Sequence, residues 1–425
     1  MNEVIGPMNI RRRKKGFLLQ CLLIASLMVT AISPSFAAQA RLSLAFAGTY
    51  EMNEGIVQAA RAFEQANPDI AIELLPTASG RAYYDRLTVM AVGGTAPDVA
   101  LVAYQFLPPF IDMGVLIDLK PFLDRPGGLR ERDFVPIVLE SLSFDGKLYA
   151  IPRDFTPVSM YINVDMLDKT GVPVPDPLVP LTTDGYLELG RRVTRDLNGD
   201  GIFDQFVAAS FPWSATVQIF GGQLWDHYRN PTRSTANDPN VMEAFEWVRD
   251  LRLLHQVIPP FGQSASFHSG QAATYFSGRY EVPNLRGTAE FTWDVRPFPV
   301  EKVRRPEHGG SGWMAFDTGA DPDVLWKFLS WLGGPEGQTI EMASGRIVPA
   351  LLPLLRSTRF LNDTPPQNQQ VWLEDMQRAA RPIFLKWQSS IDAINPLVNQ
   401  FMRGGVSSQW LVTEMERILN GVLAD

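Results

Sequence analysis

The chain has 425 residues, a formal charge of −8, one cysteine, 45% hydrophobic and 20% charged residues. An acidic balance excludes the basic faces that nucleic acids and anionic membrane surfaces select, and the length exceeds what one core commonly supports, so two lobes are expected. The 25 phenylalanines, ten tyrosines and ten tryptophans serve cores first and stacking sites second.

In chain order, residues 1–37 read as an export signal. Arg11, Arg12, Arg13, Lys14 and Lys15 are the basic segment, Phe17 to Ile32 the apolar one, and Ser35 to Ala40 supplies small residues for cleavage. The apolar run is too short for a permanent span, and no later segment approaches the ~20 apolar residues that spanning requires. A protein released into the periplasm is expected, with an acidic balance of 33 basic to 45 acidic residues once 1–37 are removed. Cys21 lies inside the apolar run after Gln20, which does not suit lipid attachment. The exported chain then has no disulfide and must be held by its own core.

From Arg41, short apolar runs alternate with amphipathic stretches. Leu42 to Ala47 predicts a strand, Gly55 to Ala66 a helix, Ile70 to Leu75 a strand, Gly80 to Val92 a helix and Val99 to Ala103 a strand. Such a series predicts a parallel sheet covered by helices, with ligands in the loops beyond the carboxyl ends of its strands. Those loops hold Tyr50 and Glu51 after the first strand and Tyr104 and Gln105 after the third. Asp98, just before the third strand, is a polar candidate that also suits a turn. Farther on, Thr183 to Thr194, Met242 to His255, Val324 to Leu332, Gln367 to Ala380 and Ser408 to Leu423 read as helices, so the last quarter is mostly helical.

Asp196, Asn198, Asp200, Ile202 and Asp204, with Gly201 at the sixth place, match the first part of a calcium loop. The twelfth place is Val207 where a bidentate acid belongs, so the segment reads either as a structural calcium site completed from elsewhere or as an Asx–Gly turn. No other cofactor is called for. His227, His255, His268 and His308 are scattered without metal-ligand spacing, and neither a Gly-x-Ser-x-Gly elbow nor a phosphate loop occurs.

Five fragments in order, Phe63 to Ile70, Gly93 to Val99, Asp145 to Pro152, Tyr161 to Asp165 and Gly345 to Pro349, resemble the extracellular solute-binding proteins of ATP-driven importers, in the carbohydrate-binding branch that includes maltose-binding protein. The resemblance implies an α/β fold of two lobes, each a sheet flanked by helices, joined by hinge strands and followed by a helical C-terminal region. It implies crossings near Ile151 to Thr156, Tyr280 to Arg286 and Phe316 to Ala320, giving a first lobe of 41–152 and 284–317 and a second of 153–283 and 318–425. The partners implied are a carbohydrate captured by hinge closure and the transmembrane permease of the importer, with the binding protein a monomer.

The same resemblance places Trp213 at an aromatic platform and Trp313, after Gly309, Gly310 and Gly312, near the last crossing. Asp154 falls at the first crossing beside Arg153, where the two bind ligand or pair with each other. Tyr280 stands where the family often has tryptophan, and Arg346 lies in a glycine-to-proline loop. A sugar needs flat rings for its C–H faces and charged or amide groups for its hydroxyls, which these residues supply. Two other readings share the export signal and acidity: a secreted saccharide hydrolase, whose two carboxylates no motif singles out, and a binding protein for another solute such as a phosphorylated polyol.

Overall fold

The structure is a computed structural model that describes residues 40–125, 128–227, 229–378 and 386–424; the export signal at 1–37 lies outside them. Strand β1 (Ala40–Ala47) alternates toward a buried face through Leu42, Leu44 and Phe46. It pairs in parallel with β2 (Ile70–Thr77) and β3 (Val99–Ala103), as the alternating pattern predicts. The helices Glu54–Ala66 and Arg81–Val92 make the two connections. The first turns Ile56, Ala59, Ala60 and Phe63 into the core, the spacing of an amphipathic helix.

The chain then runs through β4 (Ala150–Pro157) directly into β5 (Ser159–Asn163), separated by Val158 alone. β4 belongs to the first sheet and β5 to a second, antiparallel sheet ordered β6-β5-β7, with β6 Thr274–Ser277 and β7 Trp293–Arg296. After β7 the chain returns as β8 (His308–Ala315), which lies antiparallel between β3 and β4 and completes the order β2-β1-β3-β8-β4. The two lobes are thus joined by neighbouring strands, with Val158 donating its backbone N–H to the Glu307 carbonyl at the crossover.

Two buried clusters hold the fold: the first covers the first sheet and takes in Tyr161, Trp293 and Val295 from one face of the second, while the other lies on the opposite face of the second sheet through Met160 and Ile162. The division of the last hundred residues departs from the sequence expectation. Residues 318–425 are not one block of the second lobe. Leu325, Phe328, Leu329 and Leu332 of helix Pro322–Leu332, and Trp372 of Gln370–Met376, pack into the first core, while Ile394, Phe401, Leu411 and Met415 of Trp387–Met402 and Ser408–Ala424 pack into the second. The physical reason is an aromatic contact: Phe328 meets Phe63 at 4.9 Å between ring centroids, which ties the 322–332 helix to the back of the first sheet. Accordingly Phe316 stays in the first core rather than leaving it. Among the described residues no helix is long and apolar enough to cross a membrane.

Candidate functional site

A cavity of about 480 Å³ opens beside crossing strand β4, lined by Glu51 to Ile56, Arg153, Tyr280, Glu281, Pro283, Asn284, Glu341, Ser344 and Arg346. Its size falls within the range of small-molecule sites. The first wall is the β1–helix loop, where Thr49 hydrogen-bonds the Glu51 carboxylate and holds it below the usual carboxylate range. Asn53 fixes that loop by donating to the carbonyls of Ala47 at 2.8 Å and Thr49 at 3.0 Å.

The opposite wall is the short turn Arg279–Glu281, which follows β6 through Gly278. A Cβ at Gly278 would fall 2.0 Å from the Thr156 methyl on β4, so only glycine lets this turn press against the crossing strand. Tyr161 on β5 donates its hydroxyl to the Gly278 carbonyl at 2.7 Å. Tyr280, 47% exposed, therefore stands at the cavity with its ring accessible. Glu281 beside it meets His268 Nε2 at 3.4 Å and accepts from Asn284 Nδ2 at 3.3 Å.

The floor is charged. Arg153 Nε donates to Glu341 at 2.6 Å and Nη1 to the Ser311 hydroxyl at 3.2 Å, and its guanidinium lies 3.6 Å from Asp154. Burial pushes the Glu341 carboxyl up, and Arg153 opposes that shift. Arg346 is half-buried in the loop after helix Pro335–Ala343, and its guanidinium makes no hydrogen bond or ion pair with the described residues. Burial pulls its pKa below the usual value, Arg153 adds to that, and Glu281 and Asp154 oppose it. A half-buried cation with open donors, an accessible ring and four carboxylates within one cavity can hold a polyhydroxylated molecule by paired hydrogen bonds and one stacking face.

Of the residues singled out in the sequence, the structure gathers Glu51, Arg153, Tyr280 and Arg346 here. Tyr50, in the same loop, turns its hydroxyl to the Leu74 carbonyl at 3.3 Å. Trp313 is fully buried on β8, opposite Leu101 and Ile151 in the middle of the first sheet, and is a core residue. Trp213 begins helix Trp213–Ile219 and stacks on Phe245 at 5.2 Å in the second lobe, outside the cavity. Tyr104 is buried with its hydroxyl on the His308 carbonyl, and Gln105 is half-buried beside it. Asp98 lies at the amino end of β3, away from the ligand loops, where it accepts from the Ser43 amide and hydroxyl, each at 2.8 Å, and from the Thr318 hydroxyl. Asp154 is buried on β4, accepting from Thr156 at 2.9 Å and from Ser311. Glu281, Asn284, Glu341 and Ser344 carry no sequence signal that marks them as site residues; only their neighbours Tyr280 and Arg346 do.

The calcium-like loop is exposed and its acids are engaged by their own backbone. Asp196 accepts from the Gly199 and Gly201 amides at 2.7 Å each, Asp200 from Ile202 at 2.8 Å and Asp204 from Leu197 at 3.2 Å, while Asn198 donates to Asp200. Among the described residues no three histidine, cysteine or acidic side chains converge as metal ligands. The loop has the geometry of successive Asx turns.

Two α/β lobes joined by paired crossing strands, with a polar cavity at the join, define a protein built to enclose a small ligand. The chain belongs to the bacterial extracellular solute-binding protein family, whose profile matches residues 49–339. It is 23% identical over 285 residues to the maltodextrin-binding protein MdxE of Bacillus subtilis, covering 63% of this chain and 64% of that one. It is also 23% identical over 260 residues to a maltotriose-binding protein of Pyrococcus abyssi, covering 58% of this chain and 52% of that one. The match therefore spans less than two thirds of either relative's length. Among solved structures, an ABC substrate-binding protein of Listeria monocytogenes in complex with cycloalternan superposes with a TM-score of 0.80 at 21% identity, over 91% of this chain and 99% of that one. The maltodextrin-binding domain of Bdellovibrio bacteriovorus bound to maltotriose gives 0.75 at 18% identity, over 91% and 100%. Both fix the two-lobed fold.

Proposed function

We propose that this protein is the exported, periplasmic substrate-binding component of an ABC-type sugar importer, capturing a neutral mono- or oligosaccharide by hinge closure and presenting it to a transmembrane permease. The observation that carries the reading is the cavity itself: the accessible Tyr280 ring, the Arg346 guanidinium, unpaired among the described residues, and the Glu51 and Glu281 carboxylates all line it. Ring and hydrogen-bonding groups together suit the C–H face and hydroxyl rim of a pyranose. Glu51, Glu54, Glu281 and Glu341 outnumber Arg153 and Arg346 around it, which disfavours a phosphorylated ligand. Relatives whose names specify maltodextrin, maltotriose and lactose support the class of ligand.

Binding without turnover is the expected chemistry. Thermal-shift screening with maltotriose, lactose and arabino-oligosaccharides should raise the melting temperature for at least one, by ~2.7 kcal/mol of stabilisation at a hundredfold excess over Kd. The same sugar recovered after incubation should be unchanged. Hydrolysis abolished by mutating two carboxylates would instead establish the hydrolase, and the absence of any shift across the panel would overturn the saccharide reading.

A further inference from the structure

Arg279 is wholly buried yet charged, and its guanidinium meets the loop that carries Arg346. Nη1 donates to the carbonyls of Gly345 at 2.6 Å and Ile347 at 2.7 Å, the residues on either side of Arg346. Nε donates to Gln369 at 3.2 Å, Nη2 pairs with Asp363, and the group lies 5.0 Å from the Phe360 ring and 5.5 Å from Trp372. Five donors in a rigid plane can hold these acceptors at once, which the three donors of a lysine ammonium cannot.

We propose that Arg279 is the positioning residue of Arg346 in the ligand pocket: it fixes the backbone on both sides of that residue. The proposal rests on the saccharide-binding reading of the cavity. Arg346 has no side-chain partner among the described residues, so its aim comes from its backbone. That backbone is tightly constrained. Gly345 has φ +76°, and a Cβ there would lie 2.6 Å from Arg286 Nη1. Arg286 in turn donates to the carbonyls of Asp363 at 2.9 Å and Pro365 at 2.8 Å, so Asp363 is shared between two guanidiniums behind the loop. Burial pulls Arg279 down to about 10, Asp363 opposing, which leaves it charged at neutral pH. One turn of chain thus faces two ways. Tyr280 lines the cavity, and Arg279 grips the 345–347 loop from behind.

The test is a double-mutant cycle on full-length exported protein. The ligand is whichever of maltotriose, lactose and arabinotriose gives the largest thermal shift with the unmodified protein, and Kd is measured calorimetrically at a temperature where every variant is folded. Arg279→Lys and Arg346→Met should each raise Kd about tenfold, the worth of one charge-assisted hydrogen bond. The double variant should bind no worse than Arg346→Met alone, because Arg279 acts through Arg346. A purely structural arginine would lower the melting temperature and leave the folded protein's Kd unchanged, which overturns the proposal, as does an additive loss of about a hundredfold in the double variant. Should Arg279→Lys fail to fold, Asp363→Asn loosens the same guanidinium and must show the same coupling to Arg346→Met; a Kd unaffected by it also overturns the proposal. If the unmodified protein binds none of the three sugars, the saccharide reading falls first, and this proposal falls with it.

Discussion

Arg153 and Glu341 meet at 2.6 Å with their side chains 9% and 1% exposed, tying crossing strand β4 to helix Pro335–Ala343. Glu341 Oε1 is buried and has no hydrogen-bond partner among the described residues. Breaking the pair leaves the buried Arg153 guanidinium with only Asp154, 3.6 Å away, to offset its charge, so Glu341→Leu should lower stability by ~1.5–3 kcal/mol in urea unfolding. Adding Arg153→Met removes both charges of the pair, leaves Asp154 to its hydrogen bonds from Thr156 and Ser311, and should restore part of that loss. If the double variant is as unstable as the single one, charge burial is not the cause.

Tyr280 and Trp213 should separate on one pair of variants. Tyr280→Ala removes an exposed ring from the cavity wall and should weaken saccharide binding by ~2 kcal/mol, about thirtyfold in Kd, with the melting temperature nearly unchanged. Trp213→Ala removes the stack on Phe245 and should lower stability by ~3 kcal/mol while the folded protein binds normally. Thermal melts and calorimetric titrations of the two variants would expose a reversed pattern, which would return the platform role to Trp213.

A contact between lobes is available for a test of closure. Arg81, on a helix of the first lobe, pairs with Asp392 on the second-lobe helix Trp387–Met402, and Gln388 donates to the same carboxylate at 2.9 Å. Both partners are substantially exposed, so the pair contributes only weakly to the enclosed form. Asp392→Arg should therefore weaken binding about two- to fivefold, and the exchanged pair Arg81→Asp with Asp392→Arg should recover it. Small-angle scattering that shows equal dimensions for all three proteins would remove the pair from the closure equilibrium.

Stability should depend on pH through Asp375. Burial pushes its carboxyl up from 3.8 to about 6, against the opposing Arg304 guanidinium. The folded protein therefore holds this proton more tightly than the unfolded chain, and the resulting stabilisation is complete below the unfolded value. It declines as pH rises from about 4 through 6 and is constant above, a change of up to ~3 kcal/mol. Melting temperatures across that window should fall with pH in the parent protein and flatten in Asp375→Asn. A slope that survives the substitution belongs to another group.

The first sheet was legible because β1, β2 and β3 each carry a short apolar run between helices of correct length, and sequence-adjacent elements pair with one another. The second lobe was less so, since β5, β6 and β7 are four or five residues long and their partners lie about a hundred residues apart. Trp313 shows why aromatic candidates mislead: flanking glycines suggest an approachable loop, whereas Gly312 is there because a Cβ would come 2.8 Å from the Ile151 carbonyl in the sheet. Arg279 gave no signal, because nothing local distinguishes an arginine folded under a loop from one in solvent. Tyr280 and Arg346 were found through the order of family fragments and not through any property of their own.

The cavity draws its two walls from different sheets: the 51–56 turn follows β1 of the first, and the Tyr280 turn follows β6 of the second. Capture and retention are therefore divided between the lobes. A ligand that lands on one wall gains the contacts of the other only as the lobes approach, so the association rate should track diffusion and cavity electrostatics, while reopening sets the residence time. Substitutions on the wall that arrives second would in that case alter the bound lifetime more than the rate of capture.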